Sequence, residues 1–169
     1  MRGSDREIDA LFRRYRAPLF RYATWFTGDS DLAEDVVQET FLRARERTPR
    51  RAEAIRGWLF TVATNLARDM LRVARRRREL LAEQGDMLPA PTAAPDPAAR
   101  LEREELADRL RAALDGLSER ERSVLLLRHE GFRHREIAEA VGTTTKSVGT
   151  MIARAADKVA LALGPEGDR

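Results

Sequence analysis

Between residues 58 and 78 the chain reads WLFTVATNLARDMLRVARRRR. Leu59, Val62, Leu66, Met70 and Val73 recur at steps of three and four. That period places them on one face of a helix. Thr61, Asn65, Arg68, Arg72, Arg75 and Arg76 fall on the other sides, and the stretch ends in four consecutive arginines. One face is open to a core, the opposite one to a polyanion. Trp58 stands at the entrance. An aromatic beside a basic track suits single-stranded nucleic acid, because bases stack on rings while the backbone follows the charge. The same pattern also describes a solvated amphipathic helix with Trp58 in the core. The rest of the chain decides between them.

Helical spacing runs through most of the N-terminal half. Over residues 5–27, Ile8, Leu11, Phe12, Tyr15, Leu19, Tyr22 and Phe26 form a stripe of core positions, and Pro18 is expected to kink or split the run. Thr27, Gly28 and Asp29 read as a stop and a restart. The next helix, DLAEDVVQETFLRAR over 31–45, has Leu32, Ala33, Val36, Val37, Phe41 and Leu42 as its expected buried stripe. Asp31, Glu34, Asp35, Gln38 and Glu39 are left outside. Helix polarity accounts for acids in the first turn, but less well for Glu39. An acidic face cannot lie on DNA, so any partner it has is a protein with a basic surface. Residues 48–51 break the pattern, and the segment to Gly57 reads as a loop.

Residues 87–97, MLPAPTAAPDP, carry four prolines and no aromatic residue. Such a segment reads as an extended linker. The chain is therefore expected to be all-α: two small helical domains, 5–82 and 100–163, joined by a flexible linker at 83–99. In the second domain, Leu101, Leu106, Leu110, Ala113 and Leu114 give the apolar side of a helix over 100–115. Ser118 and Glu121 have capping-box spacing ahead of a helix over 119–129. A helix over 134–141, a turn at Gly142 and Thr143, and a helix from Thr145 to Leu163 capped by Thr144 complete a helix-turn-helix pattern. Ala138 is small where the two helices cross, and Ile137, Val141, Val148, Met151 and Ile152 supply apolar contacts. The second helix would enter a major groove by its N-terminal end, presenting Thr144, Thr145, Lys146, Ser147, Gly149 and Thr150, with Arg154 further along.

Charge is segregated, which matters because DNA responds to a local patch and not to the net +3. Residues 29–40 hold five acids and no base, residues 41–78 twelve arginines against three acids, and residues 79–121 eleven acids against five bases. The absence of cysteine excludes disulfides and thiolate metal sites. No apolar run is long enough to span a membrane and no signal-peptide pattern opens the chain, so a cytoplasmic location is expected. His129 and His134 are five residues apart with Gly131 between them, which is the wrong spacing for a zinc-protease box. No phosphate loop, serine elbow or facing carboxylate pair is present. Neither enzyme chemistry, nor a cofactor, nor a metal is expected.

At this point the chain resembles a bacterial RNA polymerase sigma factor of the extracytoplasmic-function (ECF) type. Three stretches carry the resemblance: DLAEDVVQETFLRAR, GWLFTVATNLARDMLRVARRRR and LSERERSVLLLRHEGFRHREIAEAVGTTTKSVGTMIARA. They resemble, in order, the core-polymerase-binding helix, the helix that melts and reads the −10 element, and the −35-binding helix-turn-helix. The resemblance implies that Asp31, Glu34, Asp35, Gln38 and Glu39 dock on core RNA polymerase, at the clamp helices of its largest subunit, with the flap as a further contact. It implies that Arg51, Arg56, Trp58, Asn65, Arg68, Asp69, Arg72, Arg75 and Arg76 hold the unpaired −10 strand. Arg133 and the residues between Thr144 and Arg154 would read −35 duplex. It further implies promoter DNA in double- and single-stranded form, and an anti-sigma factor, as partners, with no membrane insertion.

One departure stands out. Gly149 and Met151 occupy positions where family members usually carry basic residues, so phosphate contacts are missing there. Two other readings compete: a stand-alone helix-turn-helix regulator, and a sigma mimic that binds only an anti-sigma protein. The first leaves the acidic helix beside an arginine-rich one unexplained. The second is at odds with the arginine helix.

Overall fold

A computed structural model describes residues 2–47, 49, 52–83 and 99–164; the described residues form seven α-helices and no strand. The first three make an N-terminal lobe: α1 (Arg2–Thr27), α2 (Ser30–Glu46) and α3 (Ala52–Glu83). The other four make a C-terminal lobe: α4 (Ala99–Asp115), α5 (Glu119–His129), α6 (His134–Val141) and α7 (Thr145–Leu163). The expected linker falls almost wholly on residues 84–98, outside the described residues.

α1 runs unbroken through Pro18. Leu19, Tyr22, Ala23 and Phe26 beyond the proline are all buried, so core packing holds the second half of the helix in line despite the backbone bond that proline forfeits. Gly28, at φ +71°, stops the helix, and Asp29 starts the next one. Its Oδ1 accepts from the amides of Asp31 at 2.8 Å and Leu32 at 3.1 Å.

The buried stripe of α2 is Ala33, Val36, Val37, Thr40, Phe41 and Ala44. Leu42 is exposed instead, because it lies about a quarter turn past Phe41 and off the stripe. Thr40 takes a core position, its hydroxyl donating to the Val36 carbonyl at 2.6 Å. α3 corrects the loop expected before Gly57: the helix begins at Ala52. Ile55 is buried one turn ahead of Leu59, so the apolar stripe extends backwards and outweighs the low helix propensity of Gly57. At the other end the stripe outruns the core: Val73 and Leu80 are exposed.

The C-terminal lobe follows its local signals. Ser118 and Glu121 form the reciprocal capping box, with Glu121 N–H to Ser118 Oγ at 3.3 Å and Ser118 N–H to Glu121 Oε2 at 3.0 Å. Gly142 adopts the left-handed conformation (φ +66°) that the tight turn requires, and Thr144 Oγ1 accepts from Ser147 N–H at 3.2 Å to start α7. Ile137, Ala138, Val141 and Val148 are buried between α6 and α7. Leu106, expected on the apolar side of α4, is exposed.

The two lobes share one core. Phe60 of α3 and Phe132, in the turn after α5, place their rings 4.9 Å apart and are both buried. Arg122 of α5 donates through Nη1 to the Phe26 carbonyl at 2.7 Å, in the last turn of α1. That carbonyl is one of the four a helix end leaves without an internal partner. Among the described residues no helix is long and apolar enough to cross a membrane.

Candidate functional site

Three polar surfaces stand out. The first is the outer face of α2. Asp31, Asp35 and Gln38 are exposed, while Glu34 and Glu39 are half-exposed. Glu34 pairs with Arg16 of α1 at 3.1 Å and Glu39 with Arg43 one turn on at 2.9 Å. Both pairs lie in solvent and hold their side chains only loosely. The face thus offers carboxylates and an amide to a basic partner, and burial of Val36, Val37 and Phe41 behind it fixes their direction.

The second surface is α3. Arg56, Trp58 and Arg68 are half-buried, and Asn65, Asp69, Arg72, Arg75 and Arg76 are exposed. Arg51 lies outside the described residues. Asn65, Arg68, Asp69 and Arg72 recur at steps of three and four, so helix geometry brings them to neighbouring positions. Arg72 Nη1 lies 3.6 Å from Asp69 Oδ1, and Arg75 bridges to Glu79 at 3.1 Å. Behind this row, Tyr22 and Thr64 share a buried hydrogen bond of 2.7 Å. Burial pushes the Tyr22 phenol well above its usual range, so it is a neutral post for α3 and not an acid. Trp58, Thr61 and Gly57 line one wall of a groove of about 640 Å³, with Pro49 and Ala54. The far wall is α6, through Arg135, Glu136 and Glu139.

Residues that sequence reasoning did not single out meet three of these cations. Arg56 stacks its guanidinium 4.0 Å from the centre of the Phe132 ring and donates to the Glu130 carbonyl. Arg68 Nη2 donates to Ser123 Oγ at 2.8 Å, and Arg72 Nη2 lies 3.6 Å from Glu119 Oε2. Burial draws the Arg68 pKa below the ordinary guanidinium value, and its Nε is buried without a hydrogen-bond partner. Ser123 and Arg122 interrupt the apolar residues of α5, a faint hint that part of this helix faces something polar.

The third surface is the start of α7. Thr144, Thr145, Lys146, Thr150 and Arg154 are exposed, Ser147 and Gly149 partly so, and Arg133 is exposed ahead of α6. Met151 packs against the core, which removes it from the outward face. A Cβ built on Gly149 would sit 3.7 Å from His134 Cε1, an ordinary contact, so packing does not demand glycine there.

Residues 11–77 match the sigma-70 region 2 family and residues 107–159 match sigma-70, region 4. The chain is similar to the ECF RNA polymerase sigma factor SigL of Mycobacterium tuberculosis, 36% identical over 143 residues. That match covers 82% of this chain and 78% of SigL. It is 35% identical over 149 residues to the ECF RNA polymerase sigma factor SigE of Mycolicibacterium smegmatis, covering 86% of this chain but 57% of that longer relative. Among solved structures, the sigma factor RpoE in complex with the anti-sigma factor NepR from Bartonella quintana superposes with a TM-score of 0.73 at 21% identity, covering 95% of this chain and 99% of that one. At that identity the likeness speaks for the fold. CnrH, in complex with the cytosolic domain of CnrY, gives 0.68 at 27% identity, with 96% and 91% covered.

Proposed function

Because the chain belongs to the extracytoplasmic-function sigma factors of bacterial RNA polymerase, we propose that its three polar surfaces divide the work of starting transcription. Asp31, Glu34, Asp35, Gln38 and Glu39 grip core polymerase at the clamp helices of its largest subunit. Arg56, Trp58, Asn65, Arg68, Asp69, Arg72, Arg75 and Arg76 hold the unpaired −10 strand, with Arg51 assigned to the same strand from sequence. Arg133, Thr144, Thr145, Lys146, Ser147, Gly149, Thr150 and Arg154 meet the −35 duplex. The lobes correspond to working domains at 5–82 and 100–163, and the flap of the polymerase is a further contact of the second. The protein acts in the cytoplasm, by binding and positioning and not by catalysis, and an anti-sigma factor restrains it.

The observation that carries this reading is the separation of charge inside one lobe. Carboxylates crowd the outer face of α2, whereas the next helix carries the arginines. A stand-alone helix-turn-helix regulator needs only α4 to α7 and gives no role to either surface. Electrostatic complementarity then assigns the partners: the acidic face repels DNA and the arginine face attracts it.

Run-off transcription with core polymerase, with and without this protein, is the test. Transcripts that start at defined promoters only when the protein is added are expected. Duplex binding without any effect on core polymerase points instead to the stand-alone regulator. Reversing Asp35 and Glu39 together is expected to abolish capture of core polymerase while the helical circular dichroism persists, since neither carboxylate is buried. Unchanged capture removes α2 from the polymerase interface.

A further inference from the structure

His134 opens α6, and Gly149 lies in the second turn of α7. A Cβ placed on Gly149 would sit 3.7 Å from His134 Cε1, with no other atom as near. Cε1 is the carbon bonded to both ring nitrogens, so the polar edge of the imidazole is the edge turned toward position 149. The ring is exposed, and among the described residues neither nitrogen has a hydrogen-bond partner. The acids around it are already engaged. On α6 itself, Glu136 accepts the Arg133 amide at 2.7 Å and Glu139 pairs with Arg135 at 3.3 Å. After α5, Glu130 is held at the seam between the lobes by Arg21 at 3.4 Å, and Arg128 turns to the Phe132 carbonyl at 3.3 Å. Arg56 of α3 is spent on the Phe132 ring and the Glu130 carbonyl. On α7, Lys146 lies about one turn before Gly149, and residues 145–156 hold no acid. Asp157 is about 12 Å further along the helix. The anion that His134, Arg133 and Lys146 call for must therefore come from outside the protein.

We propose that His134 is a phosphate ligand of the duplex-reading surface and takes the place of the basic side chain that position 149 lacks. This rests on the reading of the start of α7 as the −35 surface. A ring N–H donates to a phosphate oxygen beside Gly149, and the imidazolium adds a positive charge to that contact. Gly149 is part of the arrangement, because without a side chain of its own it leaves the space above the helix to the ring and the phosphate. Such a contact fixes register on the duplex and carries no base code. It also differs from a lysine or arginine contact in one respect: histidine is the side chain whose charge changes between about pH 5 and 8. Duplex affinity is thereby coupled to pH through one residue, and tightens on acidification. The other histidine of the chain, His129, ends α5 and has no part in it.

The test uses the full chain and a fluorescein-labelled DNA duplex of mixed sequence, since a phosphate contact does not depend on sequence. Anisotropy titrations at about pH 6 and about pH 8 are expected to show the parent binding about fivefold more tightly at the lower pH, the worth of one exposed charge pair. His134→Ala is expected to remove that difference. At the lower pH it should also reduce the slope of log affinity against log salt by about 0.9, the signature of one lost phosphate contact. His129→Ala is expected to keep the full pH difference. Adding Gly149→Lys to His134→Ala is expected to restore tight binding at both pH values. A parent whose affinity is the same at both, or a pH difference that survives His134→Ala, overturns the proposal. A separate arm removes Lys146 and Arg154 as Lys146→Ala with Arg154→Ala. If that pair weakens binding and His134→Ala does not, only the inference about His134 falls; if that pair leaves affinity unchanged, the reading of α7 as a duplex-binding surface fails instead.

Discussion

Arg122 is the side chain whose removal tests the docking energetics most directly. Its Nη1 satisfies the Phe26 carbonyl at 2.7 Å, and its Nη2 pairs with Asp115 at 3.1 Å. The residue is 8% exposed, and its Nε is buried with no partner. Arg122→Met keeps most of the aliphatic stem and deletes the charge. Losing a charge-assisted bond and stranding the carbonyl costs about 2–3 kcal/mol. The Asp115 side chain is 65% exposed, so water replaces its partner at a cost under about 1 kcal/mol. Against this, relieving the unpaired Nε returns about 1 kcal/mol. The net expectation is a loss of about 1–3 kcal/mol. With a urea slope of about 2 kcal/mol/M, the unfolding midpoint falls by about 0.5–1.5 M. Circular dichroism follows all seven helices, and Trp25, 5.7 Å beneath the Arg111 guanidinium of α4, reports on the seam by fluorescence. Both signals are expected to shift together, because the lobes share a core. Asp115→Asn is expected to stay within about 0.5 kcal/mol of the parent. An Arg122→Met protein as stable as the parent, or more so, refutes the reasoning: burying the guanidinium would then cost more than its bonds return.

Gly149→Ala is expected to raise stability by about 1 kcal/mol, read as a higher thermal midpoint, because the helix gains propensity and the added Cβ meets His134 at an ordinary distance. Tyr22→Phe is expected to cost about 0.5–1.5 kcal/mol in urea unfolding. The cost stays modest because the Thr64 hydroxyl keeps its own bond to the Phe60 carbonyl at 2.7 Å. For Glu121, the Lys158 ammonium at 2.7 Å and the Ser118 hydroxyl and amide hold the carboxyl down to about 2. A depressed folded-state pKa stabilises the fold above the unfolded value of 4.5 and loses that contribution as pH falls toward 2. The stability margin of the parent over Glu121→Gln, followed by urea unfolding across pH, should be constant above about pH 5 and shrink steadily below it; a margin that grows on acidification contradicts the assignment.

What the sequence settled by itself is what depends on neighbours a few residues apart. Ser118 and Glu121 cap α5, the cap of α2 falls within Asp29, Ser30 and Asp31, and Thr144, Gly142 and Ala138 shape the helix-turn-helix, because caps, turns and helix faces are decided within one or two turns of chain. The acidic face of α2 and the arginine content of α3 were legible for the same reason. Burial was not local in this way. Pro18 stays inside α1 because residues from other helices pack against the turns beyond it, and Ile55 draws the start of α3 back to Ala52 by the same means. Val73 and Leu106 fit an apolar period yet remain exposed, since a stripe is buried only where another helix covers it. The largest gap lay at the seam. Arg56 and Phe132 are 76 positions apart in the chain, and Arg68 and Ser123 are 55 apart. No pattern along one helix reveals which distant residue a guanidinium meets; that is fixed only when the two lobes close on a common core.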